Sequence, residues 1–175
     1  MKKNISQNIN YFGFIAILLA GIILTLKLPD VDRGLMSLIG HRSIITHSIL
    51  FPYLMHYFLI NKKDRPNSYL VIFIIGFYLS IAIHLSADIY PKGWRGTALI
   101  KLPGNNSIGE GPGIIWMGLN VIVATYFSAI LLKKIANTKK YWITYLIIGS
   151  VVGLMYAAAD EGEVGAKFLT FLFFL

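Results

Sequence analysis

Apolar residues fall into five long blocks along the chain, separated by shorter polar stretches. A transmembrane helix needs roughly 17–25 mostly apolar residues, and each block meets or nearly meets that length. The pattern predicts an all-α, polytopic transmembrane helical bundle of five to six spans, folded as one domain over residues 1–175. The predicted spans are residues 11–28, 43–60, 69–90, 114–132 and 141–159, and the apolar stretch 165–175 is long enough for about half a crossing.

Basic residues gather in the N-terminal segment and in the loops after the second and fourth blocks. Cytoplasmic loops of membrane proteins carry an excess of Lys and Arg, so this distribution predicts a cytoplasmic N-terminus and an outer face formed by loops one, three and five. In this setting the net charge of +8 indicates contact with the lipid bilayer, and no nucleic-acid partner is expected. Loop three is long and rich in Gly and Pro, which is typical of a substrate-contacting lid or of a flexible tether.

Two ionisable residues stand near the end of the third block. His84 and Asp88 are four residues apart, so a helix would place both on one face. Ionisable residues within a span usually mark a function or a paired contact. The pair therefore indicates either two ligands of one metal ion or a hydrogen bond within the helix.

Other polar residues are expected to join this pair at the outer end of the bundle. Pro29 ends the first span, and two aspartates follow it; the polar stretch GHRSIITHS opens the second span, with Ser43 as the predicted helix cap. Alternating spans bring these residues to the same end as the third-span pair. The predicted metal ligands are Asp30, Asp32, His41, His47, His84 and Asp88, whereas His56 is expected to pack in the core.

Imidazole and carboxylate ligands without a thiol suit Zn²⁺, with Mn²⁺ or Fe²⁺ as alternatives. Six candidate ligands exceed the four of a tetrahedral site, so one or two divalent ions are expected, with an aspartate as a bridge between two ions or with Asp32 as a general base. Arg42 would steady an anionic group during catalysis. The candidate substrate-binding residues are Arg33, Arg42, Lys92 and Arg95. Basic residues near the ends of membrane spans also contact lipid headgroups, which is the alternative role for these four.

The segments LPDVD, HRSIITHS and GFYLSIAIHLSADIYPKGW resemble, in this order, motifs of the YdjM-like membrane-bound metal-dependent hydrolases, which are small bacterial proteins. The resemblance covers about residues 28–94, and this chain has one residue more between Arg42 and Thr46 than the family's H-R-x-x-T-H-S. It implies a multi-pass protein of the bacterial inner membrane. The positions carried over are Asp30, Asp32, His41, Arg42, Thr46, His47, Ser48, Gly76, His84 and Asp88.

Two functional hypotheses follow from these observations. The first is a metal-dependent hydrolase that acts on a phosphoester or related bond of a lipid or cell-envelope substrate. The second is a non-catalytic scaffold or partner-binding protein, in which a structural metal or a polar cluster joins three helix ends. A transporter is the weaker alternative, because the ionisable residues gather at one end of the predicted bundle and not at its middle.

Overall fold

A computed structural model describes residues 9–35, 42–63, 66–92, 99–103, 106–135 and 138–159 of the chain. These residues form five helices. They are α1 (Tyr11–Thr25), α2 (Leu50–His56, continued by a π-helical turn over Tyr57–Asn61), α3 (Ser68–Ala87), α4 (Glu110–Ile135) and α5 (Lys139–Ala159). A 3-10 helix, Pro29–Leu35, follows α1, and a π-type turn, Asp88–Lys92, follows α3.

The helix ends follow from local sequence. The Asn10 and Asn67 side chains accept hydrogen bonds from the backbone two residues on, and thereby cap α1 and α3. After α3, the backbone of Tyr90 is extended, with φ −134° and ψ 125°. Tyr90 precedes a proline, whose ring disfavours the helical conformation at the residue before it. Asp88 therefore sits at the point where α3 stops.

Four helical segments are long and apolar enough to cross a membrane. They are Tyr11–Asp32, Ser68–Tyr90, Glu110–Ile135 and Lys139–Ala159. These segments are compatible with the predicted membrane protein, and within the described residues the fold is all-helical apart from isolated bridges.

The second predicted span differs from the prediction. Residues 42–49 form turns, and helix begins only at Leu50, so the helical stretch up to Asn61 is too short for a full crossing. Ser43 does not cap a helix; its hydroxyl accepts a hydrogen bond from the Ile45 amide within a turn. The hydroxyl of Ser48 instead accepts one from the Leu50 amide at the start of α2. Polar side chains that bond to their own backbone compete with helix, which explains the turns.

Helix α3 is the centre of the bundle. Most of its residues are buried, whereas most residues of α1, α4 and α5 are partly buried or exposed. Fully buried side chains along α3, such as Ile74, Tyr78 and Ile81, pack against the surrounding helices. A helix that is apolar on all sides is stable only where neighbours or lipid cover every face.

Helices α1 and α3 make backbone contact where Gly21 faces Gly76. A Cβ atom built on Gly21 would lie 2.5 Å from the carbonyl oxygen of Phe73, and one built on Gly76 would lie 2.6 Å from that of Leu18. Small residues permit this approach. One turn further along, the hydroxyls of Thr25 and Ser80 are 2.6 Å apart.

Part of loop three pairs with the turns that precede α2. The amide of Lys101 donates to the carbonyl of Arg42 at 2.9 Å, and the amide of Ile44 donates to the carbonyl of Lys101 at 2.8 Å. A second bridge joins Lys101 to Ser107. This segment of the loop is therefore hydrogen-bonded to residues 42–44.

Candidate metal centre

Four side chains from three parts of the chain meet at one end of the bundle. Asp30 lies in the 3-10 helix after α1, His47 in the turns before α2, and His84 and Asp88 at the end of α3. One ligand atom each from Asp30, His47 and His84 lies within 4.8 Å of the other two, and this group could hold a metal ion.

Asp88 brings a fourth donor atom to the same place. Its Oδ2 is 3.3 Å from Nε2 of His47 and 3.5 Å from Nε2 of His84. Oδ1 of Asp30 is 3.9 Å from the same Nε2 of His84. Two imidazoles thus direct their Nε2 atoms at carboxylate oxygens, and a divalent cation among them would balance the charge of both carboxylates.

The surroundings of His84 determine which ring nitrogen carries hydrogen. Its Nδ1 is 2.9 Å from the carbonyl oxygen of Leu26. A carbonyl only accepts, so Nδ1 must be protonated, and Nε2 of the neutral ring presents a lone pair. Within the described part of the chain, this buried Nε2 makes no hydrogen bond. A lone pair that faces two carboxylates is stabilised only when a proton or a metal ion lies between them.

A short relay of hydrogen bonds assigns the same tautomer to His47. The hydroxyl of Thr46 donates to Oδ2 of Asp32 at 2.6 Å. Because that hydroxyl proton is committed, the oxygen of Thr46 accepts from Nδ1 of His47, which is 3.1 Å away. Nε2 of His47 is then the nitrogen available to a cation. The indole of Trp116 also donates to the His47 carbonyl, at 3.1 Å, and fixes the backbone.

Asp32 is fully buried behind His47. The Ser43 amide donates to its Oδ2 at 2.8 Å, and the same oxygen is 3.6 Å from Nδ1 of His47, the ring nitrogen that faces away from the cluster. A carboxylate in this position orients a metal-binding histidine and raises its basicity. The structure therefore places Asp32 beside the cluster but not among its converging donor atoms.

The electrostatics around His47 favour a positive charge. Burial by itself lowers the pKa of His47, but hydrogen bonding and charge interactions with the carboxylates of Asp32 and Asp88 outweigh it, and the net pKa is raised. When no metal is bound, His47 therefore keeps its proton at pH values above the ordinary range for histidine. A metal ion and a proton therefore compete for His47, because either one supplies the positive charge that the carboxylates favour.

Arg42 reaches the cluster from its edge. Its Nη2 lies 3.5 Å from Oδ1 of Asp88, the oxygen that is turned away from His84, and its side chain is 13% exposed. The backbone of Arg42 is left-handed, with φ 62°, a conformation that costs a non-glycine residue about 1 kcal/mol or more. The backbone pairing with Lys101 holds this conformation in place.

The remaining predicted site residues divide into two groups. His41 and Arg95 lie outside the described residues, as do the side chains of Arg33 and Lys92. His56 is described; it is buried, its Nδ1 is 3.2 Å from the Tyr78 hydroxyl, and its ring packs edge-on against Phe127. That position agrees with the prediction that His56 packs in the core.

Three contributors were not anticipated from the sequence. The Tyr156 hydroxyl lies 2.8 Å from Nδ1 of His84, the Leu26 carbonyl bonds to the same atom, and Trp116 bonds to His47. A backbone carbonyl leaves no signal in a sequence. Tyrosine and tryptophan in apolar helices are common in membrane proteins, so neither aromatic residue was distinctive.

Comparison with protein-family models, with curated proteins and with solved structures finds no match to this chain. The resemblance to the YdjM-like hydrolases therefore stays a prediction that rests on the quoted motifs.

Proposed function

We propose that the chain is a membrane-embedded, metal-dependent hydrolase that acts on a phosphoester or related bond of a lipid or cell-envelope molecule. The observation that carries the proposal is the convergence of two buried Nε2 atoms, from His47 and His84, on one oxygen of Asp88 at 3.3 and 3.5 Å. Each imidazole has its tautomer set by a bond on the far side of the ring.

Two of the donor separations fit zinc, whereas Oδ1 of Asp30 is 3.9 Å from Nε2 of His84 and the donors of Asp30, His47 and His84 lie within 4.8 Å of one another. Ligands at about 2.0–2.1 Å from a tetrahedral ion are separated from one another by about 3.3–3.4 Å. The two separations involving Asp88 lie close to that value. Octahedral coordination at about 2.1 Å would need donors nearer about 3.0 Å apart. We propose one Zn²⁺, with Mn²⁺ and Fe²⁺ as alternatives, because Asp32 is committed to His47, Thr46 and Ser43.

The four donors differ in burial, which suggests that they have different roles at the metal centre. When bound, a zinc ion would activate water and polarise the bond that is cleaved. His47, His84 and Asp88 are almost fully buried and would hold the ion. The side chain of Asp30 is 21% exposed, and its Oδ1 is 3.9 Å from Nε2 of His84, farther than Oδ2 of Asp88. We propose that Asp30, in place of the fully buried Asp32, is the carboxylate that releases the ion and accepts a proton from incoming water.

Arg42 is proposed to keep Asp88 bound through one oxygen. Its guanidinium engages Oδ1 while Oδ2 faces the histidines. A carboxylate that chelates with both oxygens would occupy an extra coordination position. Pairing Oδ1 with Arg42 would leave that position to water or substrate, and the part-exposed guanidinium could also contact an anionic group.

The place of the cluster supports a lipid or envelope substrate. Asp30 follows the end of α1 and Asp88 stands at the end of α3, so the site lies where two membrane-length helices terminate. At that depth a lipid phosphate would lie beside the donors while its acyl chains stay in the bilayer. The inner membrane and the outer face are proposed from the loop charges and the quoted motifs.

One observation favours the alternative function of a non-catalytic scaffold. All four donors come from the protein, and a closed set of four ligands is typical of structural zinc sites. In that case Asp30 would remain bound, and the ion would serve only to join α1, α3 and the turns before α2. Asp30 is therefore the residue that distinguishes the two functions.

The test uses the full chain purified in detergent. Metal content is measured for the wild type and for His84→Ala, and release of inorganic phosphate is measured from mixed micelles that contain phosphatidic acid or a polyprenyl diphosphate. We expect about one zinc per chain, phosphate release by the wild type, and loss of both metal and activity in His84→Ala. Asp30→Asn should keep the metal and lose activity. A chain that binds zinc, releases no phosphate and loses zinc in Asp30→Asn would support the scaffold.

A further inference from the structure

Helix α5 supplies a polar group to the candidate metal centre, although none of the candidate ligands lies on it. The hydroxyl of Tyr156 is 2.8 Å from Nδ1 of His84, and the two rings lie 5.5 Å apart between centroids with an interplanar angle of 36°. The other end of α5 is held far from the site, where Thr144 bonds to Tyr11 at 2.6 Å. Tyr156 therefore links the fifth helix to the cluster itself.

The direction of this hydrogen bond follows from the second partner of the same nitrogen. Nδ1 of His84 must carry hydrogen because it bonds to the Leu26 carbonyl, which cannot donate. The Tyr156 oxygen therefore accepts from Nδ1–H and shares it with that carbonyl. Donation from Tyr156 would instead place the Nδ1 lone pair against the carbonyl lone pairs at 2.9 Å, which is repulsive.

We infer that Tyr156 is a positioning residue for the metal centre: with the Leu26 carbonyl it holds the His84 ring so that Nε2 faces Asp30 and Asp88. The inference rests on the proposed function, since it concerns the same cluster. Two acceptors on one N–H restrict the rotation of the ring about its Cβ–Cγ bond and increase electron density at Nε2. Leu26 also caps the C-terminus of α1, where the helix dipole favours a partial positive charge on the ring.

The chain offers a matched control on the same helix. Tyr145 is buried whereas Tyr156 is partly buried, and the two lie about three turns apart, which is about 16 Å along α5. Its ring packs edge-on to Trp142. Tyr145→Phe and Tyr156→Phe each remove one hydroxyl from an aromatic ring of α5, so the comparison separates positioning of His84 from a general effect on helix packing.

The experiment measures zinc affinity by competition with a chelating dye, and records the visible absorption of Co²⁺ bound to the full-length protein in detergent. Tyr156→Phe should weaken zinc binding by about tenfold or more and shift the Co²⁺ absorption bands, because the histidine ligand is less basic and less well oriented. Tyr145→Phe should match the wild type in both measurements.

Each other outcome overturns the inference in a distinguishable way. If Tyr156→Phe binds zinc as tightly as the wild type with the same Co²⁺ spectrum, the positioning role is wrong while the metal centre stands. If both variants weaken binding equally, the hydroxyls act through packing, and the inference is again wrong. If the wild type binds neither zinc nor cobalt, the proposed function fails and the role of Tyr156 fails with it.

Discussion

Replacing Gly76 by alanine is expected to weaken the metal centre from two helical turns away. Gly76, Ser80 and His84 on α3 and Asp88 at its C-cap follow one another at intervals of four residues. The first contacts Gly21, the second bonds to Thr25, and the third bonds to the Leu26 carbonyl. The close approach of α1 to α3 therefore determines the position of His84, about 12 Å from Gly76 along the helix.

The size of the effect of Gly76→Ala follows from the distances where α1 and α3 cross. A Cβ on Gly76 would lie 2.6 Å from the Leu18 carbonyl oxygen, whereas ordinary contact begins at 3.4 Å, so the helices must separate by about 0.8 Å. The obstructing atoms are backbone, so no side-chain rotation relieves the clash. Overpacking of this kind costs about 1–3 kcal/mol. The same displacement would lengthen the 2.9 Å bond from His84 to Leu26 to about 3.7 Å, beyond hydrogen-bonding distance.

The assay compares thermal unfolding midpoints and zinc affinities of detergent-purified variants. Gly118→Ala is the control, because nothing lies within 4 Å of the Cβ position at Gly118 on α4. Alanine there should leave zinc affinity unchanged and leave stability equal or higher, since alanine favours helix by up to about 1 kcal/mol. Gly76→Ala should lower both the midpoint and, by about tenfold, the zinc affinity. Wild-type stability and affinity in Gly76→Ala would refute the coupling between the crossing and the site.

Three further predictions concern the cluster itself. Asp32→Ala removes the acceptor for Thr46 and for the Ser43 amide, so we expect a loss of about 1–3 kcal/mol in the free energy of unfolding and weaker zinc binding; unchanged values would contradict the relay. Arg42→Gln should retain zinc but lose phosphate release, because Asp88 can then chelate with both oxygens; X-ray absorption would report the added oxygen ligand, and an unchanged coordination number would rule this explanation out. The raised pKa of His47 means that its proton stabilises the metal-free fold at low pH, and that this contribution is lost as the pH rises through that pKa. Zinc should therefore raise the unfolding midpoint more at about pH 8 than at about pH 6, and an equal or opposite shift in calorimetry would contradict the competition between metal and proton.

The sequence by itself determined the helical class and part of the candidate site. Long apolar blocks have few stable alternatives to helix in a bilayer, because every backbone polar group needs a partner within its own segment. The spacing of His84 and Asp88 placed both on one face of α3, since helical periodicity is local. The predicted alternation of spans also placed Asp30 and His47 at the same end as this pair, and the structure brings these four residues together.

The tertiary structure decided what periodicity could not. The second span was predicted to begin at Ser43, but Ser43, Thr46 and Ser48 bond to nearby backbone or to Asp32, and they hold residues 42–49 in turns. Because those turns are not helical, the extra residue between Arg42 and Thr46 does not rotate His47 about a helix axis, and Nε2 still reaches Asp88.

Which residues are candidate ligands and which support those ligands also depends on the tertiary structure. Asp30 and Asp32 are two residues apart in a 3-10 helix, so they point in different directions; one faces His84, and the other lies behind His47. Tyr156 joins them from a helix distant in sequence. A sequence identifies residue types that can bind a metal, but which atoms meet depends on how closely the helices pack, and here that separation is fixed by Gly21 and Gly76.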